Sequence, residues 1–372
     1  MNRHTIPLGR VLGIPIDLDY SWFLILVLLT WILAVNYYPV EFKGGTTTQY
    51  WLMGFLTAIL FFVSVLVHEL AHSIVARRYK IPVNRITLFV FGGVSQIGGE
   101  PPSATAEFLI AVVGPITSIA LAAFFFLLEP LLVNIRPALA VAKYLALINV
   151  TLGLFNLIPG FPLDGGRVFR AIVWGATKNF RRATLIAADT GRFFGFLFII
   201  LGVWQAFRGN VINGLWIAFI GWFLESAATA QVQQQLVQGL LVGHTVSEAM
   251  EDKCTQIAGD TTLQELVDQE ILTHARRCFL VIRGERVVGL LTLHSIKEIP
   301  RTSWTTTTAA QAMIPVEKLS RIDPNAELWT AMEKMGRDGV NQMPVMLGNN
   351  FVGMLSRGDI VNYLQTLQQV HT

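Results

Sequence analysis

The sequence predicts a polytopic α-helical membrane protein of about six transmembrane helices, with a small membrane-associated β segment, followed by a cytosolic α/β domain built as a repeated pair. Three observations carry this prediction. Of the 372 residues, 53% are hydrophobic and only 14% charged, whereas a soluble domain averages about 25% charged. The charge is also uneven: residues 1–242 hold long uncharged runs, and residues 243–372 are dense in Glu, Asp, Lys and Arg. Finally, the polar part repeats itself at an offset of 63–64 residues.

A spanning helix needs roughly 20 mostly apolar residues. Residues 20–39 supply the first and 50–76 the second; 108–128, flanked by Glu107 and Glu129, supply the third, and 144–158 the fourth. Residues 193–207 and 211–228, parted by a Gly209-Asn210 turn, complete six or form a re-entrant pair. Between the second and third spans, alternating Ile86, Leu88 and Val90, then Gly92-Gly93, Val94 and Ile97, predict strands joined or kinked at glycine. Arg77, Arg78, Lys80 and Arg85 follow the second span, and Arg167, Arg170, Lys178, Arg181 and Arg182 follow the fourth. The positive-inside rule then places both termini and the polar domain in the cytosol. No small-residue cleavage site closes the first apolar run, so a cleaved signal peptide is not expected. A net charge of +3 gives no reason to expect a nucleic acid partner. Cys254 and Cys278 form no CxxC pair and read as thiols of a reducing compartment.

Residues 231–243 read as a polar linker or a helix extension after a membrane domain of residues 1–230. Beyond them "HTVSEAMEDK" (244–253) echoes "TTAAQAMIPVEK" (307–318), and "GERVVGLLTLHSI" (284–296) echoes "GNNFVGMLSRGDI" (348–360). The repeats are placed at 244–304 and 305–372, each reading as helix, short strands, then helix.

The chemistry sits in the second span, as "HELAH" at residues 68–72. Positions i and i+4 of a helix lie about 40° apart in projection and about 6 Å apart along the axis. His68 and His72 therefore present two imidazoles on one face, spaced to share a zinc ion, and Glu69 stands beside them where a general base would. Ionisable groups within a span are tolerated chiefly where they serve function. A third ligand is needed. His4 and His371 are terminal, and His244, His274 and His294 lie in the polar domain. Asp164, in "NLIPGFPLDGGRVFR" (156–170), closes an uncharged stretch broken by Pro159, Gly160 and Pro162. It either aims a carboxylate at the metal or caps a helix starting at Arg167, and the two roles can coexist.

HELAH in an early span, a Gly-Gly strand segment, Gly114-Pro115 in the next span and N-x-x-P…P-L-D-G-G later resemble the site-2 protease family of intramembrane zinc metalloproteases. The resemblance covers roughly residues 1–230. It implies one Zn2+ per chain held by His68, His72 and Asp164, with Glu69 as general base. It also implies a single-span membrane protein as substrate, cut in its transmembrane helix after local unwinding within the lipid bilayer. Asn156 matches an asparagine that meets substrate backbone or an oxyanion, or else is a satisfied polar residue at the helix break. Gly92 and Gly93 match a strand segment that pairs with extended substrate. Ser118 stands where many relatives carry Asn, and no role is assigned to it.

The repeat is similar to a tandem pair of cystathionine-β-synthase (CBS) domains. This implies at most one adenine nucleotide site, involving Thr292, Ser356 and Asp359, with Ser295 standing where the first repeat would carry Asp, or else a purely structural or homodimer-forming pair. The expected location is the multi-pass plasma (inner) membrane of a prokaryote. The alternative function is a CBS-regulated membrane transporter or channel, against which stand the ordered HExxH and LDGG motifs and the lack of inverted span repeats.

Overall fold

Among the described residues, six helices are long and apolar enough to cross a membrane: α1 (Ser21–Glu41), α2 (Thr47–Arg78), α3 (Ala104–Leu132), α4 (Arg136–Asn156), α6 (Phe180–Phe207) and α7 (Val211–Leu241), with the shorter α5 (Asp164–Thr177) between the fourth and fifth. They belong to a computed structural model that describes residues 5–251, 254–274, 278–284, 286–348 and 350–370. Only 22% to 39% of each span's most apolar window is buried within the protein, so most of that surface is left for lipid. The last pair are two full helices rather than re-entrant turns. The fifth span starts at Phe180 instead of 193, because Arg181, Arg182, Asp189 and Arg192 ride on its first turns. The chain divides into two units, Met1–Gln235 and Leu236–Thr372. The division falls inside α7, so residues 231–241 are helix.

Local signals fix the helix that carries HELAH. Its start is a capping box: Gln49 N–H donates to Thr46 Oγ1 at 3.3 Å, and Thr46 N–H donates to Gln49 Oε1 at 2.9 Å. Its end has Arg77 and Arg78 in the last turn, where cations suit the helix dipole. The chain then turns at Lys80 (φ +62°). The next segment forms β3 (Val83–Phe89) and β4 (Gly92–Ile97). They join a hairpin that the span count passed over, β1 (Thr5–Val11) and β2 (Ile14–Asp19). The sheet order is β1-β2-β3-β4, with β2 parallel to β3 and the other pairs antiparallel. Ile14 and Ile16 of β2 and Ile86 of β3 are buried against Leu66 and Leu70 of α2. The sheet is thereby seated on the HELAH helix.

A buried ion pair holds α5 against α3. Glu107 is fully buried and Arg170 8% exposed; Arg170 Nε donates to Glu107 Oε1 at 2.7 Å, and its Nη2 donates to the same oxygen. The guanidinium also lies 5.0 Å from the Phe161 ring centre and 4.7 Å from that of Phe180, a cation–π arrangement.

In the second unit the repeat is visible as structure. The first module contains β5 (Thr255–Ala258), β6 (Cys278–Arg283) and β7 (Arg286–Thr292), and the second β9 (Gln342–Leu347) and β10 (Asn350–Ser356). Each hairpin carries a register shift in its middle. The leading segments are exchanged. Val246 is buried with Leu328 and Val345 in the second module's core, and Ala309 with Leu263 and Phe279 in the first's; β8 (Ile314–Pro315) pairs with β7. The thiol reading needs correction: Cys254 is disulfide-bonded. The parallel register that sets Thr255 opposite Phe279 brings the backbone of residue 254 beside that of residue 278, whose side chain lies outside the described residues. The cysteines are therefore no evidence for a reducing compartment.

Removing one partner of a buried pair leaves the other charge without compensation, at a cost of about 3–5 kcal/mol, whereas an apolar pair of similar volume is often neutral. Arg170→Met should therefore lower the denaturation midpoint sharply in detergent, and Arg170→Met combined with Glu107→Leu should recover most of the loss.

Candidate metal centre

α2 and α5 bring three donor atoms together. His68 Nε2 lies 3.0 Å and His72 Nε2 3.1 Å from Asp164 Oδ2, and the two imidazole nitrogens are 3.1 Å apart. Both histidines are almost fully buried, and the Asp164 side chain is 16% exposed. Asp164 is the first residue of α5, with Leu163 at the cap position and no side-chain capping bond, so it does not cap a helix starting at Arg167. Gly165 and Gly166 follow it and pack directly on the backbone of residues 157–161, where a Cβ would collide. This brings the first turn of α5 against the broken end of α4.

The outer faces of the imidazoles are tied to α3. His72 Nδ1 is 2.6 Å from the carbonyl oxygen of Ile110, which can only accept, so the proton belongs on Nδ1 and the Nε2 lone pair points at the cluster. His68 Nδ1 is 2.8 Å from the fully buried Ser118 Oγ, a hydroxyl able to accept from an Nδ1–H, and that tautomer leaves the Nε2 lone pair facing the cluster. Gly114, between these two anchors on α3, faces the nitrogens themselves: a Cβ there would overlap His72 Nε2 and His68 Nε2.

Two lone pairs and a carboxylate oxygen about 3 Å apart need positive charge between them. Donors about 2.0–2.1 Å from a tetrahedral zinc ion stand roughly 3.3 Å from one another. The donor set is two imidazoles and a carboxylate, its protons face away, and a glycine keeps the space open. It fits zinc. Among the described residues these three form the one cluster of this kind.

Glu69, next on the helix, accepts a hydrogen bond from Ser95 Oγ at 2.7 Å. Gly93 packs against it, since a Cβ at 93 would come within 2.5 Å of Glu69 Cγ. Gly92 begins β4 at φ +129° with open space beside it. Gly92 and Gly93 pair with Phe89 and Leu88 of β3, and the opposite edge of β4 has no strand partner among the described residues. Asn156 is half-buried and donates from Nδ2 to the carbonyl of Leu152 at 3.0 Å; no hydrogen bond joins it to the three donors.

The three polar-domain candidates are not gathered into one site by direct bonds. Ser356 and Asp359 cap the last helix reciprocally: Ser356 N–H donates to Asp359 Oδ2 at 2.7 Å, and Asp359 N–H donates to Ser356 Oγ at 3.2 Å. Thr292 makes the matching turn with Ser295, whose N–H lies 3.3 Å from Thr292 Oγ1.

Sequence reasoning missed Ser95 and the Glu107–Arg170 pair, and it gave no role to Gly114 or Ser118, although the first stood in a Gly-Pro inside a span and the second where many relatives carry Asn.

A helix-borne HExxH held in a bundle of spanning helices, completed by a carboxylate from a second helix, is the arrangement of a membrane metalloprotease. The model of Peptidase family M50 matches residues 56–134 and 132–200, and that of the CBS domain residues 312–366. Rip3 of Mycobacterium tuberculosis, named as a zinc metalloprotease, is 35% identical over 367 residues, covering 97% of this chain and 93% of its own. A Synechocystis protein named in the same way is 31% identical over 369 residues, covering 98% of this chain and 96% of its own. The solved site-2 protease from Methanocaldococcus jannaschii is 28% identical and covers 62% of this chain and 95% of that one, with a TM-score of 0.44. The chain belongs to peptidase family M50. It is a multi-pass membrane zinc metalloprotease with a C-terminal tandem CBS domain, and not the transporter or channel of the alternative reading.

Outer partners of metal-bound histidines typically account for 10–100-fold in metal affinity. Ser118→Ala should therefore raise the zinc dissociation constant by about that factor in chelator competition, and Gly114→Ala should abolish stoichiometric zinc.

Proposed function

We propose that this protease hydrolyses peptide bonds in or near the transmembrane helix of single-span membrane proteins, with His68, His72 and Asp164 holding Zn2+ and Glu69 as general base. The observation that carries this reading is the meeting of three donors, about 3 Å apart, two on a spanning helix and one on α5, beside a strand edge unpaired among the described residues. Zinc in such a site supplies Lewis acidity and lowers the pKa of a bound water to about 7. Glu69 takes a proton from the attacking water and delivers it to the leaving amine. Gly92 and Gly93 present bare backbone to an extended substrate segment, which adds to β4 as a further strand. Asn156 uses one N–H on Leu152, and its other N–H is available to substrate backbone or an oxyanion.

Two finer assignments belong to the same proposal. The arginines that follow α2 and begin α6 support a cytosolic HELAH end and cytosolic termini, in the plasma membrane of a prokaryote. The CBS pair takes an adenine nucleotide near Thr292, Ser356 and Asp359, where Asp359 spends one carboxylate oxygen on its cap and keeps the other for a ribose.

In proteoliposomes carrying a single-span substrate, Glu69→Gln should abolish cleavage while leaving zinc bound, and Asp164→Ala should lose both. Cleavage by Glu69→Gln at the wild-type rate would remove Glu69 as the base, and undiminished zinc in Asp164→Ala would remove Asp164 from the ligand set. Titrating AMP or ATP into the purified chain should release heat in wild type and markedly less in Asp359→Ala.

A further inference from the structure

The general base has a partner of its own, supplied by the strand rather than by its helix. Ser95 Oγ lies 2.7 Å from Glu69 Oε2 and 3.3 Å from the Glu69 carbonyl oxygen. A serine hydroxyl has one hydrogen to give, and the carboxylate, closer and charged, takes it. Ser73, one turn after Glu69 on α2 and fully buried, donates its own hydrogen to Ser95 Oγ at 3.2 Å. The hydrogens therefore run one way, from Ser73 through Ser95 to Glu69 Oε2. No hydrogen bond among the described residues takes Oε1, which is left for the water that is to be deprotonated.

Strand alternation explains why residue 95 is in reach. Side chains of a strand point to opposite faces in turn. Gly93, Ser95 and Ile97 face α2: residue 93 meets Glu69, residue 95 bonds it, and Ile97 packs with Ala76. Val94 and Gln96 face the other way, with Thr87 and Phe89. A slip of one residue would set Val94 or Gln96 against the carboxylate.

We propose that Ser95 is a positioning residue: its hydroxyl holds the Glu69 carboxylate in the working rotamer and fixes the register of β4 against the base. The strand edge on which substrate pairs and the group that moves the proton are then set by a single contact. The inference rests on Glu69 being the base. A misplacement of about 1 Å at a reacting group can cost about 100-fold in rate, so the contact should be read in kcat.

Thr and Val at position 95 have nearly the same shape and differ by the hydroxyl. In proteoliposomes, Ser95→Thr should keep kcat within about threefold of wild type, and Ser95→Val should lose about tenfold or more. KM and zinc content should stay within about twofold in both. Amide exchange over residues 92–97 gives a readout apart from activity: it should rise in Ser95→Val and in Glu69→Ala, and stay at the wild-type level in Ser95→Thr. Equal kcat and equal exchange in the Thr and Val variants would overturn the assignment, as would a loss of kcat that tracks a loss of zinc. Equal cleavage by wild type and Glu69→Gln would instead overturn the base itself, and Ser95's role with it.

Discussion

The interior of an apolar helix bundle tolerates ionisable groups only when each finds a partner, and that constraint organises the membrane unit. His68, Glu69, His72 and Asp164 are not merely present in a hydrophobic setting. Each imidazole has one nitrogen turned to the cluster and one tied to α3, and the Glu69 carboxylate is tied to β4. The two imidazoles and the Asp164 carboxylate form one connected set, whose remaining need is positive charge at its centre. A zinc ion held there would meet that need and turn an electrostatic cost into a reagent.

The helix that arranges this carries none of the three clustered donors. Ile110, Gly114 and Ser118 are spaced four residues apart on α3, a single stripe. They supply a carbonyl for His72, a gap for both Nε2 atoms and a hydroxyl for His68. One turn earlier on the same helix, Glu107 holds Arg170, which stands six residues after Asp164 on α5. So α3 holds the two imidazoles directly and the helix of Asp164 through a buried ion pair. The unpartnered second oxygen of Glu107 fits a pair retained for placement rather than for net stability.

What was legible follows from how local each signal is. The HELAH geometry needs only the helical repeat, so two imidazoles and a carboxylate could be placed from five letters. The alternation at Ile86, Leu88 and Val90 and the glycines after it gave β3 and β4 for the same reason. Asp164 lies 96 residues from His68, and only elimination and family resemblance reached it. The sequence drew attention to Gly114 and Ser118 but did not tie them to the histidines, because small residues in a span ordinarily signal helix packing. Glu107 read as a flank of the third span and Arg170 as a loop cation, because a sequence does not say that opposite charges 63 residues apart meet. The β1–β2 hairpin was passed over although Ile14, Ile16 and Leu18 alternate just before the first span. In the CBS pair the exchange of leading segments leaves no mark, since both repeats carry the same pattern.

Under the proposed reading, the sheet resolves a difficulty specific to a helical substrate. Within a bilayer, a helix satisfies its own backbone, and opening it strands N–H and C=O groups at several kcal/mol each. A protease that waited for the helix to open in lipid would meet that cost in full. β4 is six residues of strand with one edge unpaired among the described residues, seated against the helix of the base. Hydrogen bonds lost by an unwinding segment can be replaced at that edge as they break, which offsets the cost where the segment must become extended. The same unpaired edge cannot face lipid, so it demands water or a strand. Those are the two things a peptide-bond hydrolase must admit, and the edge that admits them is held in register with Glu69 by Ser95.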